Sequence, residues 1–128
     1  MEKVAIIGVA QTKFEAAKPE AGFAHLVYEC TVSALEDAGI TRDDVDQYVT
    51  ASQDFLDGRT ISSFSVTEAC GAHLKPESKV AMDATMAVFY SLARILSGQY
   101  KTGLVVSHAK MSMANQGKIG RASCRERV

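Results

Sequence analysis

The stretch Lys79–Ser107, KVAMDATMAVFYSLARILSGQYKTGLVVS, decides the fold class. Its first residues, Lys79–Met82, predict a short strand, and Gly103–Ser107 predicts another. Between them, Ala84–Gly98 has the strongest helical pattern of the chain, and Gly98 is a natural stop. Small and apolar side chains recur at helical spacing along one face: Ala84, Ala87, Val88, Ser91, Leu92 and Ile95. A strand, a helix and a second strand predict a parallel strand pair covered by the helix.

The sequence before this unit continues the alternation. Lys3–Val9 is a β-branched run that predicts a buried strand, and Tyr48–Thr50 predicts the next one. A helical pattern begins at Gly22 and ends at Gly39, which suits a left-handed cap. Thr60–His73 predicts a moderately amphipathic helix. Strands that alternate with helices predict an α/β fold, a layered βαβαβ half-domain with a mostly parallel sheet.

Composition and charge exclude several classes of protein. The chain has 128 residues, of which 47% are hydrophobic and 23% charged, and its formal net charge is −1. This balance favours neither nucleic acid nor an anionic membrane surface, and no apolar run reaches the roughly 18 residues of a membrane-spanning helix. Three widely spaced cysteines do not make a disulfide framework, so we expect a cytoplasmic protein.

The last residues differ in charge from the rest. Ile119–Val128 holds three arginines and one glutamate, which is typical of a solvated basic tail. Its back-translation, ATC GGA AGA GCG TCG TGT AGG GAA AGA GTG, also resembles read-through of a common short-read sequencing adapter. We therefore expect residues 118–128 to be non-native and residues 1–117 to be the domain. Cys124 would then have no functional meaning.

Two pairs of side chains are candidates for chemistry. Asp54 and Asp57 share a loop with Gly58 and could bind a cation or an amine, although Asp and Gly also favour turns. Cys70 and His73 are three residues apart, so on a helix they could begin a metal site or form a thiolate nucleophile. A small buried side chain is the simpler interpretation of Cys70. The ligands are too few for us to expect a metal site.

His108 follows the predicted strand Gly103–Ser107. A residue at the carboxyl end of a strand is well placed for a ligand site in an open α/β sheet. No serine or acid can be paired with it from spacing alone, and the sequence has neither a nucleophile elbow nor a phosphate-binding glycine loop. The residues by themselves leave the chemistry undetermined.

Taken in order, several short pieces of the chain resemble the start of the thiolase family. Their order and spacing carry the resemblance, which covers nearly all of residues 3–113. The pieces are Val4–Phe14 (VAIIGVAQTKF), Ala34–Ile40 (ALEDAGI), Val45–Val49 (VDQYV), Cys70–Leu74 (CGAHL) with Pro76, Ile95–Gly98 (ILSG), Leu104–Val106 (LVV) and Lys110–Ser112 (KMS). The resemblance implies a partial thiolase-like N-terminal domain whose sheet is incomplete.

The resemblance also shows where this chain departs from the family. In thiolases a cysteine at the amino end of a buried helix attacks an acyl thioester, and a second cysteine and a histidine further along complete proton transfer. The usual nucleophile position falls here at Ala81–Ala84, which contains no cysteine, and an alanine cannot form an acyl-enzyme. The resemblance leaves Asp83, Thr85 and His108 as candidates for acid/base work, although Asp and Thr are also ordinary helix caps. An acidic residue usual before the Met-Ser turn is replaced by Lys110.

The function implied by the resemblance belongs to the whole protein. We expect an acyl-CoA-handling acyltransferase or a carbon–carbon lyase of aldolase type in lipid metabolism, with the CoA thioester as substrate and no tightly bound cofactor. Expected partners are a second copy of the protein and a small zinc-ribbon/OB-fold protein. We expect the 128-residue chain itself to be inactive, because the later catalytic elements lie outside it. The alternative is a non-catalytic acyl-binding or scaffold subunit.

Overall fold

Three parallel strands form the centre of the fold. The computed structural model describes residues 3–58 and 61–113. Strand β1 is Gln47–Ala51, β2 is Glu77–Val80 and β3 is Gly103–Ser107, in the sheet order β2-β1-β3. Both pairings are parallel, so each strand must be reached by a crossover connection.

One helix precedes the first strand, and each of the two crossover connections contains a further helix. Helix α1 is Phe23–Ala38, α2 is the single turn Ser63–Val66, and α3 is Ala84–Leu96. Short 3₁₀ turns lie at Arg42–Asp44 and Met111–Met113. Helix α3 joins β2 to β3 and packs on β1 and β3, as the strand-helix-strand pattern of Lys79–Ser107 predicts.

Strand β1 is buried along its whole length, as expected for a central parallel strand. Alternate side chains of β1 belong to two different hydrophobic cores. On one face Tyr48 packs with apolar residues of α1, of α2, of the segments around these helices and of β3: Val27, Val45, Val66, Cys70, Ala72 and Val106. On the other face Val49 and Ala51 pack on Ala87 of α3. The sheet therefore lies between two helical layers, and the predicted α/β class is confirmed.

The predicted turn chemistry is confirmed where α1 ends. Gly39 has φ 66°, the left-handed cap that glycine adopts at little cost, and its N–H donates to the Glu36 carbonyl. The following turn is a capping box, in which the Asp44 carboxylate accepts from the backbone N–H and the hydroxyl of Thr41, both at 2.8 Å. Gly98, which follows α3, has the same left-handed conformation, with φ 80°.

The predicted strand Lys3–Val9 is wrong. This segment has no regular secondary structure, none of the described strands pairs with it, and Ile6 is 77% exposed. It lies along α1 instead, where the Val9 N–H donates to Asp37 Oδ2 at 2.8 Å. Gly8 lies so close to α1 that a Cβ would be 2.6 Å from the Ala34 carbonyl oxygen. A β-branched run has the local preference for a strand, but pairing requires a neighbouring strand.

The predicted helix Thr60–His73 is too long. Helix α2 ends at Val66, and turns continue to Gly71, whose φ of 84° ends any helical path. Both the hydroxyl and the backbone N–H of Thr67 donate to the Ser63 carbonyl, at 2.8 and 2.9 Å. The strand predicted at Lys79–Met82 is displaced by two residues, since β2 is Glu77–Val80.

Helix α3 has apolar residues almost all round. Only Ala87 and Ser91 of α3 are buried. Large apolar side chains of this helix are exposed to solvent: Met86, Val88, Phe89, Tyr90 and Leu96. A helix that is apolar on every side is typical of a buried position, so this surface is suited to contact with another protein element. Among the helices described, none has the length and apolar composition needed to cross a membrane.

Candidate functional site

The candidate site lies where the three parallel strands end. Ser52 and Asp54 follow β1, Lys79 lies near the end of β2, and His108 follows β3. Carboxyl ends of parallel strands meet at one edge of the sheet, where open α/β folds bind ligands. Ser62, from the segment before α2, joins them. We call these five residues the strand-end cluster.

The carboxylate of Asp54 is the centre of the strand-end cluster. Its Oδ1 accepts from the hydroxyl groups of Ser52, at 2.8 Å, and Ser62. Its Oδ2 accepts from the backbone N–H of Ser62, at 3.2 Å, and forms an ion pair with the Lys79 ammonium. Burial by itself would raise the pKa of Asp54, but the hydrogen bonds from Lys79, Ser62 and Ser52 together hold this pKa well below its ordinary value. Asp54 is therefore ionised at neutral pH.

Ser62 connects the carboxylate to the histidine. Its side chain is fully buried, and its Oγ lies 3.1 Å from Lys79 Nζ and 3.5 Å from His108 Nε2. A serine beside a lysine and a histidine is the arrangement of an activated nucleophile. Here, however, the hydroxyl donates to Asp54 and is shielded from any substrate. Ser62 Oγ also lies 2.8 Å from Ser52 Oγ, so the buried hydroxyl belongs to the network around Asp54 and lies next to the imidazole.

His108 lies between the other four residues of the strand-end cluster and a cavity. Its backbone N–H donates to the Ala51 carbonyl at 3.0 Å, which holds it beside the end of β1. Its ring meets Phe23 edge to face, with the centroids 5.4 Å apart. A cavity of about 160 Å³, which we call the His108 cavity, opens beside it between α1, the end of β3 and residues 10–12. The sequence placed His108 correctly at a strand end and could not show these contacts.

Asp54 and Asp57 do not form a paired carboxylate site. Asp57 is buried, and its Oδ1 accepts from the backbone N–H of Lys110 at 2.8 Å, whereas Asp54 belongs to the strand-end cluster. Within residues 3–58 and 61–113, no group of three or more His, Cys, Asp and Glu side chains could hold a metal ion.

Lys110 has a structural role. Its buried ammonium group donates to the carbonyl oxygens of Lys18, at 2.7 Å, and Ala21. These bonds hold the segment before α1 against the end of β3. A cation can donate to carbonyl oxygens in this way and a carboxylate cannot, which gives the departure from the family at Lys110 a physical reason.

Asp83 and Thr85 lie at the start of α3, the position implied by the thiolase resemblance. The Asp83 carboxylate accepts from the Met86 N–H at 3.1 Å, the hydrogen bond of a helix N-cap. Both side chains are exposed. Ala81–Ala84 spans the turn from β2 into α3, so the positions that correspond to the family nucleophile are exposed and have no thiol.

The structure separates Cys70 from His73. Cys70 is 1% exposed and its thiol donates to the Thr67 carbonyl, while His73 is exposed. Burial raises the pKa of Cys70 to about 11, so the thiol is neutral and unreactive at pH 7. The thiolate hypothesis is wrong, and the interpretation of Cys70 as a core residue is confirmed. Cys30 is half-buried at the His108 cavity, and burial raises its pKa as well.

Sequence reasoning missed Ser52, Ser62 and Lys79. Ser62 stood inside a predicted helix and Lys79 inside a predicted strand, so neither was considered as a site residue. The available signal was the one that identified His108, namely polar side chains at strand ends. Cys124 and residues 118–128 lie outside the described residues, as do Arg59 and Thr60.

The helix-sheet-helix layering, with parallel strands in the order β2-β1-β3, defines a partial thiolase-like fold. A solved structure supports this: 3-oxoacyl-[acyl-carrier-protein] synthase III from Aquifex aeolicus VF5 is similar to this chain with a TM-score of 0.58 and 18% sequence identity. The similarity covers 79% of this chain and 35% of that synthase, so the chain spans about a third of its length. No protein-family model and no curated protein matches the sequence.

Proposed function

We propose that the whole protein acts on acyl-CoA thioesters, as an acyltransferase or in aldol- or Claisen-type carbon–carbon chemistry. The observation that carries the proposal is the strand-end cluster beside the His108 cavity, within a thiolase-like fold. The name of the similar synthase refers to a 3-oxoacyl group on an acyl carrier protein. In this proposal the CoA thioester is the substrate, and no tightly bound cofactor is required.

The chain's own residues limit the reaction. Because Ala81–Ala84 offers no thiol, no acyl-enzyme forms at the start of α3. His108 is the proton-transfer group in this proposal, since imidazole exchanges protons near neutral pH. Asp83 caps its helix and Thr85 is exposed, so neither is given an acid/base role here.

The exposed apolar surface of α3 supports the proposal that the protein binds a partner protein. A second copy of the protein is the first partner proposed, and a small zinc-ribbon/OB-fold protein is the second. Phe89 is 60% exposed at the middle of this surface, and aromatic side chains dominate the energy of protein interfaces.

A non-catalytic acyl-binding subunit is the second candidate function. The full burial of Ser62 and the absence of a cysteine at Ala81–Ala84 favour it, because both remove an ordinary acyl acceptor. An acyl-binding subunit would use the same His108 cavity as the proposed enzyme and would differ from it only in having no turnover.

Incubation of the whole protein, cloned from genomic DNA, with acyl-CoA substrates of different chain lengths tests the enzymatic proposal. We expect release of free CoA, measured with a thiol reagent, and loss of that release in His108→Asn but not in His73→Asn, since His73 is exposed and does not line the His108 cavity. The 128-residue chain should release none. Thioester binding without turnover would support the acyl-binding subunit, and absence of both would refute both candidates.

A further inference from the structure

We propose that the groove between α2 and the turn at residues 72–75 binds a segment of a partner protein that presents an arginine next to an aliphatic side chain. The groove has a volume of about 460 Å³, and we call it the Leu74 groove. This volume lies within the range of roughly 300–1,000 Å³ that is typical of ligand sites in proteins. The groove shares no lining residue with the His108 cavity, so the proposal is independent of the proposed function.

The backbone of Leu74 is strained. In the part of the chain that the structure describes, Leu74 is the only residue other than glycine with a positive φ, 59°. It is the third residue of a β-turn that is closed by a hydrogen bond of 2.9 Å from the Lys75 N–H to the Ala72 carbonyl. A turn with a positive φ at its third residue favours glycine or asparagine there, because a left-handed conformation is costly for a bulky side chain.

Two long side chains hold this turn in place. Arg42 donates from Nε to the Gly71 carbonyl at 2.8 Å and from Nη2 to the His73 carbonyl at 3.2 Å. In the other direction, Lys75 Nζ donates to the carbonyl oxygens of Arg42, at 2.6 Å, and Val45, at 2.7 Å. Contacts within the chain therefore position Leu74 before a partner binds, and a preorganised surface loses less conformational entropy on binding.

The strain at Leu74 is not offset by burial of its side chain. Leu74 is 93% exposed, and Phe64, which lines the groove from α2, is 89% exposed. Neither side chain gains the stabilisation that burial of apolar surface provides within the fold. Strained residues concentrate at ligand sites, and neighbouring exposed apolar side chains are typical of interaction surfaces. Leu74 and Phe64 are therefore suited to contact an apolar group of a partner.

The charge of the groove selects the polar part of the occupant. Glu68 also lines the groove and is exposed, and among the ion pairs of the described residues none includes it. The neighbouring ammonium of Lys75 is engaged by carbonyl oxygens. A guanidinium group can donate two hydrogen bonds to a carboxylate and can stack on an aromatic ring such as that of Phe64. Arginine is also enriched at protein interfaces, so a protein segment is the occupant that these groups fit best.

Two matched tripeptide amides, leucine-arginine-leucine and leucine-citrulline-leucine, test the occupant by NMR titration of the full chain. Citrulline has the shape of arginine without its charge. We expect saturable shifts of the Leu74 methyl and Phe64 ring resonances, with about 3- to 10-fold weaker binding of the citrulline peptide. Glu68→Gln should bind both peptides equally, whereas Glu36→Gln, at an exposed glutamate of α1, should keep the preference. Equal binding of the two peptides by wild type, or binding of neither, would overturn the arginine assignment. If n-butylguanidinium bound as tightly as the arginine peptide, a small guanidinium compound would replace the protein segment as the occupant.

Leu74→Gly separates a binding role of this residue from a structural one. We expect the variant to bind the arginine peptide more weakly and yet to unfold at a higher urea concentration. Its folding equilibrium constant should rise by roughly 2- to 5-fold, because relief of left-handed strain exceeds the extra chain entropy that glycine loses on folding. Phe14→Gly, at another exposed apolar residue but without a positive φ, should not gain stability. A Leu74→Gly variant that is less stable than wild type, or that binds the peptide unchanged, would overturn the proposal. A dimer of the full chain that Leu74→Gly dissociates in analytical ultracentrifugation would instead assign the groove to a second copy.

Discussion

Replacing Asp54 by asparagine tests the strand-end cluster with a small change in shape. Asparagine keeps the Oδ1 acceptor, but its amide NH₂ takes the place of Oδ2, which accepts from the Ser62 N–H and the Lys79 ammonium. In the variant the amide NH₂ therefore faces two hydrogen-bond donors, and the Lys79 ammonium loses its counter-ion. The side chains of Lys79 and Asp54 are only 21% and 19% exposed, so water replaces little of this loss.

The expected cost is about 3 kcal/mol, because both lost hydrogen bonds, from the Ser62 N–H and the Lys79 ammonium, are made to a charged carboxylate and such a bond contributes about 1.5–3 kcal/mol. Urea denaturation at pH 7, followed by far-UV circular dichroism, measures this difference in the free energy of unfolding. Asp43→Asn, an exposed aspartate, is the matched control and should stay within about 0.5 kcal/mol of wild type.

The dependence on pH makes the test more specific. The pKa of Asp54 is lowered in the folded protein, so the folded state binds fewer protons than the unfolded state at acidic pH. Its stabilisation is complete above the ordinary pKa, near pH 4, and is lost as the pH falls toward the lowered folded value. The difference between wild type and Asp54→Asn should therefore be constant from about pH 5 to 8 and shrink below about pH 4. A difference under 0.5 kcal/mol at pH 7, or one that grows in acid, would refute the reasoning.

Three further predictions concern the core and the segment before α1. Since the pKa of Cys70 is raised from 9.0 to about 11, wild type should lose about 2–3 kcal/mol of stability between pH 9 and 11, and Cys70→Ala should not show that slope in alkaline urea titrations. Gly8→Ala should destabilise by about 1–3 kcal/mol in urea, because its Cβ would overlap α1, whereas Gly22→Ala has open space and should be tolerated; equal stabilities would contradict the packing. Lys110→Met should make the segment before α1 cleave faster in limited proteolysis, because two carbonyl oxygens lose their donor, and unchanged cleavage would count against that role.

The sequence predicted the elements that local physics controls. Helix α1 and its left-handed glycine, and the helix and strands of Lys79–Ser107, follow from periodicity, caps and turn residues. Lys3–Val9 was predicted wrongly because strand formation depends on a partner strand, which local sequence does not specify. The helix predicted at Thr60–His73 is too long because the regular helix ends at Val66 and Gly71 adopts a left-handed φ of 84°, which apolar periodicity does not reveal.

The candidate site was predictable only in part. His108 could be placed at a strand end, since that follows from the order of the elements. Its connection to Ser62 could not be, because the two residues are 46 positions apart and meet only through the parallel pairing of β1 and β3. Lys79 faces Asp54 for the same reason, across the pairing of β1 and β2.

Titration of the whole protein with hexanoyl-CoA, followed by NMR of the histidine side chains, tests most directly whether the strand-end cluster and its cavity are the acyl site. Six carbons match a cavity of about 160 Å³. We predict a saturable shift of the His108 resonances while His25 and His73 stay unchanged, and free CoA should produce no such shift. Saturable binding that leaves His108 unmoved, or equal shifts of all three histidines, would contradict the assignment of this site.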